Sequence, residues 1–102
     1  NDIIDAYRAF NMGLCKLESQ AFEEAHQHFS KAIKLNPELI DAYLRDGLTL
    51  ALLERNEETL MVWEQAVKLS PTGQTMFDLA RISMQVGYFS MSLKSFQMVE
   101  QF

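Results

Sequence analysis

Apolar residues first recur at helical spacing in Ile3, Tyr7, Phe10, Leu14 and Leu17. Asp2 is the expected cap of this helix, and Asp5 favours its positive end. Gly13 falls mid-helix, where glycine costs about 1 kcal/mol relative to alanine. Close approach of a neighbouring helix is the expected compensation. Glu18-Ser19-Gln20 reads as a turn. A second helix is expected from Phe22 to Leu35, with Ala25, Phe29, Ala32 and Ile33 on one face. Asn36-Pro37 ends it, because proline disfavours helical geometry in the residue before it. A third helix is expected over 38–53, with Gly47 in its middle.

Asn56 is the expected cap of a fourth helix, with Glu57 and Glu58 in its first turn. This helix carries Leu60, Trp63, Ala66, Val67 and Leu69, and Ser70-Pro71-Thr72-Gly73 stops it. A fifth helix over 74–86 closes on Gly87 as C-cap. Ser90 caps a sixth, which runs to the end and carries Leu93, Phe96, Met98, Val99 and Phe102.

The second and fourth helices are related. Ala25-His26-Gln27-His28-Phe29-Ser30-Lys31-Ala32-Ile33-Lys34-Leu35-Asn36-Pro37 returns, from residue 25 to residue 59, as Thr59-Leu60-Met61-Val62-Trp63-Glu64-Gln65-Ala66-Val67-Lys68-Leu69-Ser70-Pro71. Small, aromatic, small, aliphatic and proline positions recur at an offset of 34 residues, a period that signals a solenoid of stacked units. Gly13 and Gly47 share the same offset, and after Pro71 the register shortens by one residue.

On these positions the chain resembles the tetratricopeptide-repeat family over nearly its whole length. Gly13, Gly47 and Ala80 take the small first-helix position, and Tyr43 and Met76 the large leading one. Ala25, Phe29, Ala32 and Pro37 complete the first repeat, and Thr59, Trp63, Ala66 and Pro71 the second. Ser92, Phe96 and Val99 continue the third. The resemblance implies an all-α fold, a right-handed α-α superhelix (solenoid) of three helix-turn-helix repeats. They are placed at about 6–39, 40–72 and 73–102 of a single domain over 1–102. Two residues depart from the pattern: Lys16 stands where the family has an aromatic, and Asp46 where it has leucine. Both side chains are expected to reach out to the rim.

In such solenoids the first helix of each pair lines a concave groove. The resemblance therefore implies a peptide-binding face of Tyr7, Phe10, Asn11, Leu14, Leu44, Arg45, Leu48, Phe77, Asp78 and Arg81. A largely apolar groove with a few polar groups suits an amphipathic helix or an extended peptide of a protein partner. Arg45 and Asp78 are expected to approach each other across it. Chaperone-binding members grip a terminal carboxylate with Lys, Asn and Arg. The matching positions here are Phe10, Leu14, Arg45, Gln74 and Asp78, so that clamp is absent. The alternative is an assembly segment of a larger repeat protein, whose groove is filled by its own chain or by another subunit. Leu93, Met98, Val99 and Phe102 offer apolar surface where a further repeat would dock, and a homo-oligomer through this last helix is expected.

Composition narrows the chemistry. The 102 residues are 48% hydrophobic, enough to bury a core, and two prolines and four glycines suit long helices with short turns. A balance of 9 basic and 14 acidic residues gives a net charge of −5, which argues against nucleic acid or an anionic membrane as partner. The lone Cys15 fixes no redox compartment and is expected to be a buried, inert thiol. His26 and His28, two apart on a helix, diverge and are expected on a solvated face. No metal site, cofactor site or catalytic residue set is expected, and Trp63 is read as a packing residue. An opening on Asn1 rather than Met predicts a segment of a longer protein.

Overall fold

The computed structural model describes residues 1–85. Five helices follow in order: α1 (Asp2–Glu18), α2 (Phe22–Leu35), α3 (Ile40–Leu52), α4 (Asn56–Leu69) and α5 (Gly73–Gln85). α1 packs on α2, α2 on α3 and α3 on α4, while α5 lies against both α3 and α4. Two complete hairpins and the first helix of a third are therefore in place. The expected Gly87 cap and sixth helix, with Leu93, Met98, Val99 and Phe102, lie outside the described residues.

The caps differ from expectation at two points. α1 is capped by Asn1, whose Oδ1 accepts the Ile3 N–H at 2.8 Å; Asp2 falls in the first turn, where its charge meets the helix dipole. Asn56 is the first residue of α4, and Arg55 precedes it in the cap position. The reason lies in the turn. Glu54 adopts a left-handed φ of 62°, the Glu54 N–H reaches the Ala51 carbonyl at 3.0 Å, and the Arg55 N–H reaches the Leu50 carbonyl at 2.9 Å. This Schellman motif closes α3 and delivers the chain straight into α4. The same motif closes α1: Gln20 has φ 64°, Gln20 N–H bonds Leu17 O at 3.1 Å, and Ala21 N–H bonds Lys16 O at 2.9 Å. The repeat thus extends to backbone hydrogen bonds. Between α2 and α3 the chain turns through Asn36–Leu39, which starts α3 two residues later than expected. Tyr43 pins that turn by donating from its hydroxyl to the Pro37 carbonyl at 2.8 Å.

Packing follows the 34-residue offset. Phe29 and Trp63 are fully buried, each lying against the glycine of its partner helix. A Cβ added at Gly13 would sit 2.6 Å from Phe29 Cε1, and one at Gly47 would overlap the Trp63 indole. The Trp63 Nε1–H donates to the Leu44 carbonyl at 3.2 Å, so the ring is anchored on α3 backbone. Around it gather Tyr43, Leu44, Leu48, Ala66, Leu79 and Ile82. A second cluster of mostly small residues, Ala6 and Ala9 on α1, Ala32 on α2, Leu39 in the turn and Ala42 on α3, joins the first hairpin to the second. Phe10 stacks obliquely on Phe29, with centroids 5.7 Å apart. Buried hydroxyls are satisfied inside helices, Thr49 by Arg45 O, Thr59 by Arg55 O and Ser83 by Ala80 O.

Three expectations about polar residues are settled. Lys16 does reach the rim, where its Nζ pairs with Glu24 at 2.9 Å. Asp46 does not: it is 2% exposed and held by His26, so His26 is not on a solvated face either. Cys15 is exposed, not buried. α3 is flanked by α2 and by α4, whereas α1 packs chiefly on α2, with Ala6 and Ala9 sharing a core cluster with Ala42 of α3.

Replacing Gly47 with alanine gains about 1 kcal/mol of helix propensity but overpacks the Trp63 ring, a cost of about 1–3 kcal/mol. Urea unfolding is expected to show a net loss for Gly47→Ala, and no loss for Gly73→Ala, where an added Cβ meets nothing within 4 Å. The left-handed turns predict the opposite sign. Glu54→Gly removes a conformational cost of about 1–2 kcal/mol, offset in part by unfolded-state freedom. A net gain of about 1 kcal/mol is expected in the same measurement.

Candidate peptide-binding face

α1, α3 and α5 occupy equivalent places in their hairpins, so their matching positions fall on one side of the array. Tyr7, Asp41 and Gln74 form one such row; Phe10, Leu44 and Phe77 the next; then Asn11, Arg45 and Asp78; then Leu14, Leu48 and Arg81. Burial along each row is uneven. Tyr7 is 50% and Phe77 54% exposed, whereas Leu44 is 3% and Leu48 8% exposed. The two leucines are gripped by the core around Trp63, so they support the face from below and offer little open surface. Phe10 and Leu14 are half-buried, and Asn11 and Arg81 are exposed. Leu52 and Met84, toward the far ends of α3 and α5, add exposed apolar surface, as do Ile3 and Ile4 at the start of α1.

The charges on this face are arranged within single helices. Asp78 accepts a hydrogen bond from Gln74 Nε2 at 3.0 Å and pairs with Arg81 at 3.7 Å, both on α5. The expected Arg45–Asp78 approach is therefore not made: neighbours one turn away on its own helix satisfy the carboxylate first. Arg45, half-buried on α3, carries no ion pair among the described residues. A half-buried cation beside apolar surface can take a carboxylate from a ligand.

On the opposite side, α2 and α4 bound a cleft of about 340 Å³ above α3, lined by Ile33, Tyr43, Leu50, Met61 and Val62, with the His26–Asp46 pair at its edge. Asp46 is the feature that sequence reading missed. His26 Nδ1 and Asp46 Oδ1 are 2.6 Å apart across the α2–α3 joint. Burial raises the Asp46 pKa above the usual carboxylate range, and the hydrogen bond and charge of His26 oppose the rise. Glu24 and Glu58 move the other way, held low by hydrogen bonds from Lys16 and Arg55 respectively. No cluster of three or more metal-ligating side chains occurs among the described residues, and no described helix is long and apolar enough to cross a membrane.

No family model matches the chain. A stretch of 68 residues, 67% of the chain, is 31% identical to a UDP-N-acetylglucosamine–peptide N-acetylglucosaminyltransferase of Giardia intestinalis, and spans 5% of that protein's length. Among solved structures, the crystal structure of MamA superposes with a TM-score of 0.75 at 17% identity, covering 99% of this chain and 59% of that one. MamA MSR-1 gives 0.69 at 24% identity over 94% of this chain and 56% of that one. MamA AMB-1 gives 0.67 at 24% identity, over 92% and 52%. The chain thus spans little more than half of the solved chains and a small fraction of the transferase. The shared architecture is the right-handed superhelix of paired helices, and the 34-residue recurrence of glycine, aromatic and turn is its signature in this sequence. The chain has the tetratricopeptide-repeat fold, a right-handed superhelix of paired helices.

Proposed function

We propose that this array is a protein-interaction module, and that the side formed by α1, α3 and α5 takes an amphipathic helix or extended peptide from a partner protein. The observation that supports this most is the pairing of exposed apolar residues, Tyr7 on α1 and Phe77 on α5, with Arg45 on α3, which carries no ion pair among the described residues. Rigid helices present such residues at fixed spacing, and apolar anchors with one charge suit a ligand that alternates hydrophobic and acidic groups. Leu44 and Leu48 shape the face from beneath. Tyr7, Phe10, Asn11, Leu14, Phe77, Asp78 and Arg81 form its accessible surface. Self-association through Leu93, Met98, Val99 and Phe102 remains a sequence-based part of the proposal.

The test is affinity capture with the wild-type chain, followed by affinity measurement for each captured protein. Phe77→Glu and Arg45→Glu change accessible residues and are expected to keep the helical content while weakening binding at least tenfold. Leu48→Glu is unsuitable, because it places a charge in the core. A captured partner that binds both variants as tightly as the wild type would show that this side is not the binding face. Capture of the chain's own flanking segment would place it there as an assembly element.

A further inference from the structure

His26 and Asp46 join elements of different hairpins: α2 ends the first and α3 opens the second. Their contact at 2.6 Å bridges the joint that sets how α1 and α3 lie relative to each other. The His26 side chain is 18% exposed at the edge of the α2–α4 cleft, open to protons from solvent, while the Asp46 side chain is 3% exposed. The charged surroundings are lopsided. Asp46 from α3, Glu58 from α4 and Glu23 from α2 are three carboxylates, faced by the single guanidinium of Arg55 in the α3–α4 turn. Arg55 is committed to Glu58 through hydrogen bonds of 3.0 and 2.7 Å and lies 3.6 Å from Glu23. Of the other polar groups near the cleft, Lys34 and Ser30 line its α2 wall, Tyr43 bonds the Pro37 carbonyl, and Lys16 of α1 pairs with Glu24. A neutral imidazole gives the buried carboxylate one hydrogen bond; a charged one gives the same bond and balances the charge.

We propose that the His26–Asp46 pair is a protonation-responsive brace at the joint between the two hairpins, gripping harder when the imidazole carries its proton. Imidazole is the one side chain whose ordinary titration falls between pH 5 and 8, so mild acidification is the condition that engages it. Its contribution is present at the acidic end of that window and is lost as pH rises through the imidazole's titration. Ionisation of the buried Asp46, whose pKa burial raises, acts in the same direction. The contributions of Glu24 and Glu58 run oppositely, lost only as pH falls below the ordinary carboxylate range, so pH 5.5 lies above their window.

The test compares urea unfolding of the whole chain at pH 7.5 and pH 5.5, for the wild type, His26→Gln and His28→Gln. The wild-type folding constant is expected to rise about tenfold on acidification, the margin by which a charge-assisted hydrogen bond exceeds a neutral one. His28→Gln keeps the rise; His26→Gln loses most of it. A wild type that does not respond overturns the proposal. So does a full rise in His26→Gln, which would assign the response to Asp46 alone. Should His26→Gln fail to fold, hydrogen exchange on the wild type decides. Protection factors across α2 and α3 rise about tenfold at pH 5.5 if the brace exists, and unchanged protection overturns it.

Discussion

An aromatic ring laid on the bare backbone of a helix is the contact on which the rest of this structure depends. Phe29 meets Gly13 and Trp63 meets Gly47, each within a distance that a single methyl group would block. Glycine mid-helix weakens the helix that carries it. The ring gains more by lying flush against that helix, where close packing with few voids is worth most. Each hairpin is closed by this contact, and each closed hairpin leaves one face for the next. The Leu44 carbonyl, which receives the Trp63 indole N–H, fixes the ring's rotation as well as its depth. Leu44 and Leu48 are drawn into the core, and the outer side of α3 is left with Asp41 and Arg45 as its charged groups.

The turns obey the same period. Gln20 and Glu54 both sit in left-handed backbone, at positions where glycine is the usual choice, and both close a Schellman motif. Spacing inside the repeat is therefore set twice, by the ring against the glycine and by the turn that precedes the ring's helix. A change in either would alter how the outer faces of α1 and α3 align, and that alignment is what a bound peptide would sense.

Much of this was legible in the residues. α2 spans Phe22–Leu35 as its apolar spacing and Asn36-Pro37 predict, and the mid-helix glycines predict the close helix approach that Phe29 and Trp63 make. Burial depth was less legible. Leu44 and Phe77 are equivalent by spacing, yet one is packed and the other exposed, because depth depends on which helices lie alongside and not on period. The caps slipped by one residue at Asn1 and Asn56 for a related reason. Several side chains near a helix start can cap it, and the turn geometry selects among them. The His26–Asp46 pair was hidden altogether. Its partners are twenty residues apart on separate helices, and each alone resembles a surface residue.

The central claim is that the side built from α1, α3 and α5 receives the partner. The most direct measurement is the NMR footprint of a captured partner segment on the isotope-labelled chain. The account predicts that shifts and cross-saturation centre on Tyr7, Asn11, Arg45, Phe77 and Arg81, with the α2–α4 cleft around Met61 and Val62 undisturbed. A footprint confined to that cleft, with the α1, α3 and α5 residues silent, would contradict it.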